Sequence, residues 1–179
     1  MNSRENPTIR LATLQDVETI IDLQQQAISI LQKGYLDPDQ IEASRLSMGL
    51  DTQLIEDRTY FCVIEGDTII GCGGWSFRET LYGNNDSQGR NARLLDPKTE
   101  RARIRAMYTH PDHTKKGVGR MILEASEAAA KKAGFKSLEM AATEAGRPFY
   151  LKCGYTVEKS FFDEKGRVPV PLYTMVKTF

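Results

Sequence analysis

The fold is decided by residues 101–120, which are RARIRAMYTHPDHTKKGVGR. The first ten residues alternate between basic and apolar side chains, which predicts a β-strand that ends at Pro111. The alternation assigns the strand residues to two faces, with Ile104, Ala106 and Tyr108 on one and Arg103, Arg105 and Met107 on the other. Gly117 and Gly119 then begin an amphipathic helix that runs to about Lys132, so the stretch predicts a strand, a glycine-containing turn and a helix.

The beginning of this helix has the features of an anion site. The first N–H groups of a helix have no intrahelical partners, and the helix dipole adds partial positive charge there. Glycine lets a phosphate approach the backbone, and Lys115, Lys116 and Arg120 raise the local potential. The G-x-x-x-x-G-K-[ST] pattern is absent, and G-x-G-x-x-G fails because Ile122 follows where a third glycine is needed. The turn therefore predicts a pyrophosphate site, with an ordinary glycine-containing turn as the alternative.

Strands and helices alternate on both sides of this stretch. The predicted elements are strand 8–12, a helix from Thr13 to Gly34, a helix beginning at Asp37-Pro38, strands 59–65 and 68–77, strand 136–142, helix 147–154, and strands 155–162 and 171–179. This order predicts an α/β fold with a mixed sheet, in a single domain over residues 1–179.

Three local features refine this prediction. The apolar side of the second helix is expected to consist of Ile41, Leu46, Met48 and Leu50. Glycines at positions 71, 73 and 74 predict a bulge or a close backbone approach in strand 68–77. The polar stretch 78–100 is long for a connection, which indicates a functional role, partial order or an oligomer contact.

The composition excludes several classes of protein. The chain has 24 basic and 24 acidic residues in 179, so its formal net charge is zero. Residues 1–70 hold 5 basic and 12 acidic groups, which gives a net charge of −7. Residues 101–136 hold 9 basic and 3 acidic groups, which gives a net charge of +6. A general nucleic-acid binder is not expected, although a local anion site within 101–136 is. No apolar run reaches the roughly 18 residues that span a bilayer, and the polar N-terminus is unlike a signal peptide, so no membrane partner is expected.

The cysteines and histidines predict neither disulfides nor a metal. Cys62, Cys72 and Cys153 are odd in number and widely spaced, which is typical of a reducing, cytoplasmic compartment. His110 and His113 lie three residues apart in a Pro-Asp turn without further ligand types beside them, so no metal site is expected.

Two segments resemble the signatures of the GCN5-related N-acetyltransferase (GNAT) family. Residues 114–119, TKKGVG, fit the last five positions of [QR]-x-x-G-x-[GA], with Thr114 where the family usually has Gln or Arg. Residues 149–155, FYLKCGY, match F-Y-x-K-x-G-[FY] in full. The resemblance extends over residues 8–179, and the inserted loop 78–100 is its main irregular part.

The resemblance implies the acyl-CoA N-acyltransferase fold, a mixed and mostly antiparallel central sheet flanked by helices. It also implies an enzyme that transfers the acetyl group of acetyl-CoA to a primary amine by direct attack. The acceptor would be a small molecule or an exposed amino group, and a homodimer is a further expectation because the family often dimerises. The alternative is a non-catalytic acyl-CoA-binding or regulatory module, since fold does not fix function.

The resemblance also implies roles for particular residues. Tyr150 would protonate the departing CoA thiolate, with mere support of its helix as the alternative. The strand backbone at Met107, Tyr108 and Thr109 would bind the pantetheine arm, and N–H groups near Met107 would stabilise an oxyanion. The pyrophosphate would be held by the loop residues Lys115, Lys116, Gly117, Val118, Gly119 and Arg120. The candidates for the acceptor pocket are Tyr35, Trp75 and Arg78.

Two questions have several answers at this point. The general base could be His110 or His113, which titrate near neutrality, or a water relay to Glu79 or a backbone carbonyl. The alternating arginines of strand 101–110 form either a salt-bridged edge or a positive surface for an acidic substrate or the CoA phosphates. The acidic first part of the chain, beside the acceptor entrance in this fold, would suit a protonated amine.

Overall fold

The computed structural model describes residues 6–87 and 92–179. Seven strands and five helices cover these ranges, with short 3₁₀ turns at Leu14–Asp16 and Pro111–His113. The strands are β1 (Thr8–Leu11), β2 (Tyr60–Glu65), β3 (Thr68–Ser76), β4 (Ala102–Thr109), β5 (Ser137–Thr143), β6 (Thr156–Asp163) and β7 (Val170–Thr178). The helices are α1 (Val17–Leu31), α2 (Pro38–Ser44), α3 (Gln53–Glu56), α4 (Val118–Lys132) and α5 (Arg147–Lys152).

The strands form one mixed sheet in the order β1-β2-β3-β4-β5-β7-β6. Every neighbouring pair is antiparallel except β4 and β5, which run parallel. The predicted α/β class with a mostly antiparallel sheet flanked by helices is therefore confirmed. Within residues 6–87 and 92–179, no helix combines the length and the apolar character needed to cross a bilayer.

The parallel pair β4 and β5 is joined over a very short distance. Its register contains only Ala102 opposite Leu138 and Arg103 opposite Glu139. Beyond these pairs the two strands diverge toward their carboxyl ends. The sheet therefore opens between them at the position where β4 leads into the glycine-containing turn.

Strand β4 contains a β-bulge, which overturns the predicted assignment of its faces. Cys72 lies opposite Tyr108 but Gly74 lies opposite Arg105, so Gly73 alone faces both Ala106 and Met107. Ala106 has a positive φ of 49°, which places the extra residue of the bulge there. The alternation restarts after it: Ile104 and Met107 contact the apolar cluster beneath α4, whereas Ala106 and Tyr108 contact the cluster beneath α1. Arg105 is therefore on the face of Tyr108, opposite Ile104.

Gly73 is required by this bulge and by the helix packed on it. A Cβ at position 73 would lie 2.7 Å from Cγ of Met107 and 2.9 Å from Cγ2 of Ile122. The predicted close approach in strand 68–77 therefore occurs at Gly73, whereas the bulge of that strand lies at Ile70, between the pairs Val63–Gly71 and Ile64–Ile69.

The second helix is shorter than its apolar pattern indicated. The Ser44 hydroxyl donates to the Ile41 carbonyl at 2.7 Å, the acceptor that a continuing α-helix would offer to Arg45. The Arg45 amide bonds instead to the Glu42 carbonyl, and the chain leaves the helix. Leu46, Met48 and Leu50, expected on this helix, therefore lie in the following segment, where Leu46 is exposed and Leu50 is buried.

Apolar side chains pack on both faces of the sheet. The face beneath α1 is filled by Ile20, Leu23, Ile28, Leu54 and Tyr60 together with smaller neighbours. The face beneath α4 is filled by Trp75, Ile104, Leu123, Phe135, Leu138, Met140 and Met175 among others. The open space left between β4 and β5 defines the candidate site.

Candidate active site

The turn before α4 presents a row of backbone donors. Gly117 is the N-cap residue with a φ of +83°, and Lys115 also has a positive φ of 59°. No amide of residues 115–120 donates to an acceptor in the described part of the chain, and no side chain caps the helix. A Cβ at Gly117 would meet no atom within 4 Å, so this position is open to a ligand. Together with the dipole of a fifteen-residue helix, these donors suit a phosphate group.

Both histidines stabilise the turn that precedes these donors. Nδ1 of His110 accepts a hydrogen bond from the Asp112 amide at 3.2 Å. Nε2 of His113 lies 3.2 Å from Oε2 of Glu65. Neither histidine lines the cavity described next. In the described part of the chain, no three His, Cys, Asp or Glu side chains are grouped to hold a metal ion.

A cavity of about 140 Å³ lies where β4 and β5 diverge. Its walls come from β4, β5, α5, the segment after α2, residues 81–83 and the ends of β6 and β7. The β4 and β5 residues that line it are Ile104, Arg105, Ala106, Met107, Tyr108, Met140, Ala141, Ala142 and Thr143. Two of the predicted pantetheine positions, Met107 and Tyr108, are therefore on the cavity wall, and Thr109 follows them at the end of β4.

Tyr150 of α5 lines the same cavity. Its ring packs between Phe149 and Tyr155, with centroid separations of 5.2 and 6.0 Å. Gly146 leaves room for this ring, because a Cβ there would lie 3.1 Å from Cε2 of Tyr150. The Tyr150 hydroxyl has no hydrogen-bond partner among the residues of ranges 6–87 and 92–179. Burial raises the pKa of Tyr150, so the phenol holds its proton through the neutral range.

A buried chain of hydrogen bonds fixes the bulge of β4 against the cavity. The side-chain amide of Gln24 donates to the Tyr60 hydroxyl at 3.0 Å, and that hydroxyl donates to the Ala106 carbonyl at 2.6 Å. Two residues further along β4, the Tyr108 hydroxyl accepts a hydrogen bond from the Gly49 amide at 2.9 Å. Sequence reasoning missed this network because Gln24 was indistinguishable from the other residues on the inner side of α1.

Arg105 is a buried guanidinium on the cavity wall, with 3 % of its side chain exposed. It donates to Oδ2 of Asp51 at 3.1 Å, to the Gly83 carbonyl at 3.1 Å and to the Thr80 carbonyl at 3.4 Å. Burial lowers the pKa of Arg105, and the Asp51 carboxylate opposes this effect. Arg105 thus holds residues 80–83 of the inserted loop over β4.

The other arginines of β4 and its approach are salt-bridged. Arg101 donates to both carboxylate oxygens of Glu158 at 3.0 Å, and Arg103 pairs with Glu139. Of the two alternatives that the sequence allowed, the described contacts are those of a salt-bridged edge. Their charge is directed to β5 and β6 and away from the cavity.

The three residues expected in the acceptor pocket lie outside this cavity. Trp75 is 5 % exposed and packs edge-on against Phe77 and Phe135 beneath α4. Arg78 binds both carboxylate oxygens of Asp57, at 2.6 and 2.9 Å. Tyr35 is exposed after the end of α1. None of them lines the cavity.

In the described part of the inserted loop 78–100, backbone hydrogen bonds connect its two ends to each other and to the residue after β3. The Leu95 amide donates to the Phe77 carbonyl at 2.8 Å and the Glu79 amide to the Arg93 carbonyl at 3.0 Å. Residues 88–91 of this loop lie outside the described residues. The described part closes one side of the cavity through Leu81, Tyr82 and Gly83.

Comparison with known proteins identifies relatives of this arrangement. The family model of the acetyltransferase (GNAT) family matches residues 24–155. None of the curated proteins compared with the chain gives a significant match.

Solved structures share the fold at low sequence identity. A GCN5-related N-acetyltransferase from Rhodopseudomonas palustris superposes with a TM-score of 0.72 at 18 % identity, covering 100 % of this chain and 99 % of its own. The PaiA N-acetyltransferase from Thermoplasma acidophilum, solved in complex with coenzyme A, has a TM-score of 0.67 at 17 % identity, with 97 % and 99 % covered. An N-acetyltransferase from Staphylococcus aureus Mu50 has a TM-score of 0.64 at 14 % identity, again with 97 % and 99 % covered.

Proposed function

The chain belongs to the GNAT acetyltransferase family, and from that premise we propose that it is an acetyl-CoA-dependent N-acetyltransferase. It transfers the acetyl group to a primary amine, either of a small molecule or of an exposed amino group. The reaction needs no metal. Three cysteines without disulfide partners support a reducing, cytoplasmic location.

The observation that carries this proposal is the position of Tyr150. An unpartnered phenol, its pKa raised by burial, lines a cavity whose opposite wall is the bulged part of β4. A phenol that keeps its proton and has no acceptor in the described part of the chain can give that proton to a leaving thiolate, as acyl transfer from a thioester requires. A binding module requires no proton donor at this position.

Acetyl-CoA fits the two open features of the site. The free amides of residues 115–120 suit its pyrophosphate, with Lys115, Lys116 and Arg120 adding positive charge around it. The divergence of β4 and β5 exposes backbone groups of Met107, Tyr108 and Thr109 that are suited to the amide groups of the pantetheine arm. The acetyl thioester then lies in the cavity between the bulge and Tyr150.

The chemistry is acyl transfer by direct attack. The lone pair of the neutral amine adds to the thioester carbonyl carbon, and the charge that develops on the carbonyl oxygen is stabilised by backbone N–H groups near Met107. The carbon–sulfur bond breaks, the thiolate takes the proton of the Tyr150 hydroxyl, and the amide nitrogen releases its extra proton to solvent. The tyrosinate regains a proton before the next turnover.

A combined thermal-shift and thiol-release assay tests the proposal. Acetyl-CoA is expected to raise the melting temperature, and a panel of primary amines is expected to give free CoA thiol with at least one member. Stabilisation without thiol release on any amine would instead assign the chain to the non-catalytic acyl-CoA-binding modules. No stabilisation by acetyl-CoA would contradict both functions.

A further inference from the structure

The cavity has an acidic end that the acetyl-transfer chemistry does not use. Asp163, the last residue of β6, is 4 % exposed and lines the cavity that Tyr150 also lines. Its carboxylate accepts a hydrogen bond from the hydroxyl of Ser47, which follows α2. Tyr82 lines the same cavity, and burial together with the negative charge of Asp163 raises the pKa of Tyr82.

This carboxylate has no basic partner in the described part of the chain. The other charged group on the cavity wall, Arg105, is bound to Asp51 and to two backbone carbonyls. Lys165 lies over the ring of Tyr82, 5.1 Å from its centroid, and forms no ion pair with Asp163. A buried charge is unfavourable unless a counter-charge or a full set of hydrogen bonds compensates it. The missing counter-charge can come from a cation that enters the cavity.

The acidic end is separated from the reactive end by a distance that the sheet defines. Asp163 pairs with Val170 on β7, and on the same strand Leu172 pairs with Thr143 of β5. Two strand spacings therefore lie between β6 and β5, which corresponds to about 10 Å across the sheet. A cation beside Asp163 is accordingly a different group from the amine that attacks between β4 and β5.

We propose that Asp163 is a specificity-determining residue that binds a second cationic group of the acceptor, so that the enzyme selects compounds with a primary amine at one end and a positive charge at the other. This proposal rests on the proposed acetyl transfer and names its substrate class. The hydroxyl of Ser47 holds the carboxylate in place by a hydrogen bond and leaves its remaining acceptor capacity for the cation. The acceptor thus binds across the sheet, with its reacting nitrogen toward Tyr150 and its other end toward β6.

Asp163 also connects β6 to the segment after α2, which is a purely structural role. A structural role affects every acceptor equally, because loosening the segment changes the whole cavity. Charge recognition affects only acceptors that carry the second cation. The comparison of a diamine with the monoamine of equal chain length therefore separates the two roles.

The test measures binding by isothermal titration calorimetry with CoA present at saturation. The probes are the linear α,ω-diaminoalkanes of three to eight carbons and the n-alkylamines of the same lengths. The variants are Asp163→Asn, which keeps the size of the side chain and its acceptor for Ser47, and Glu164→Gln, which removes the neighbouring but exposed negative charge. Thiol release from acetyl-CoA is measured in parallel with the same amines.

At least one diamine is expected to bind the wild-type protein tenfold or more tightly than its monoamine. Asp163→Asn should abolish this preference and leave monoamine binding unchanged, whereas Glu164→Gln should preserve it. Equal binding of diamines and monoamines at every length, or an unchanged preference in Asp163→Asn, would overturn the proposal. Because binding is measured without turnover, such a result leaves acetyl transfer to monoamines intact, and failure of thiol release alone contradicts only the enzymatic proposal.

Discussion

The hydroxyl of Tyr60 donates a hydrogen bond of 2.6 Å to the carbonyl of Ala106, the residue at which β4 bulges. The two residues lie 46 positions apart, on strands that are not neighbours in the sheet. Through Gln24 the same hydroxyl is connected to α1. The helix, β2 and the wall of the cavity are therefore fixed relative to one another by a single buried phenol.

Removing this hydroxyl should destabilise the protein. In Tyr60→Phe the Ala106 carbonyl loses its donor, and we expect the free energy of unfolding to fall by about 1–3 kcal/mol. Urea denaturation measures the change. The control is Tyr35→Phe, which removes the hydroxyl of an exposed tyrosine and should be neutral. An equal effect of both substitutions would show that the bond to Ala106 does not stabilise the bulge.

The open turn before α4 predicts a selective loss of acetyl-CoA binding. Gly117→Ala and Gly117→Glu both place a Cβ at a φ of +83°, so both should lose about 1–2 kcal/mol of stability. Only glutamate adds bulk and negative charge where the pyrophosphate is proposed to lie. Thermal shifts should show stabilisation by acetyl-CoA in Gly117→Ala and none in Gly117→Glu. If acetyl-CoA still stabilised Gly117→Glu, the phosphate groups would have to bind away from this turn.

Replacing the proposed acid should lower turnover without weakening cofactor binding. Tyr150→Phe is expected to reduce kcat by a factor of about 10²–10⁴, the usual contribution of general acid catalysis, while the Kd for CoA stays the same. Tyr155→Phe is the control, since its hydroxyl binds Glu127 outside the cavity. Unchanged turnover in Tyr150→Phe would exclude this tyrosine as the acid.

The same phenol makes a prediction about pH. Burial favours the neutral form and raises the pKa of Tyr150 above that of an ordinary tyrosine. The acid should therefore remain protonated as the pH rises to 10, and kcat of the wild-type enzyme should show no alkaline decline below that value. A decline with a midpoint below pH 9 that disappears in Tyr150→Phe would contradict the raised pKa.

The two kinds of arginine around β4 should differ in their effect on stability. Arg105→Met leaves Asp51 without its buried partner, and we expect a loss of about 3–5 kcal/mol. Arg101→Met removes a partly exposed pair with Glu158, which should change stability by no more than about 1 kcal/mol. Urea denaturation of both variants measures the difference. Similar losses in both would show that the burial of Arg105 does not matter.

Local signals predicted the parts of the fold that depend on neighbouring residues. The helix α4 and its turn could be located because Gly117, Gly119 and the periodic apolar residues act within a few positions of one another. Tyr150, which lines the cavity, could be named as a candidate because its neighbours form a recognisable pattern. Strands 59–65 and 68–77 were likewise located from the local sequence, and they pair as β2 and β3.

The parts that were missed depend on contacts between distant residues. The bulge in β4 is fixed by Tyr60 and by Gly73, and nothing in the alternation of residues 101–110 reveals it. Asp163 ends a strand whose other side chains are mostly exposed, and its partner Ser47 lies 116 positions earlier in the chain. Trp75 and Arg78 lie next to segments that line the cavity. The side chain of Trp75 points to the face of the sheet beneath α4, and the bond to Asp57 directs Arg78 away from the cavity.

The short pairing of β4 with β5 has a consequence for how the protein unfolds. Backbone hydrogen bonds alone would leave two nearly independent sheets, one before and one after the turn at Gly117. The apolar cluster beneath α4 includes Trp75 and Ile104 from the first and Leu138 and Met175 from the second. Because both sheets contribute to this cluster, unfolding of one sheet would expose apolar side chains of the other. We therefore expect the two halves to unfold together as one cooperative unit, despite the gap between their strands.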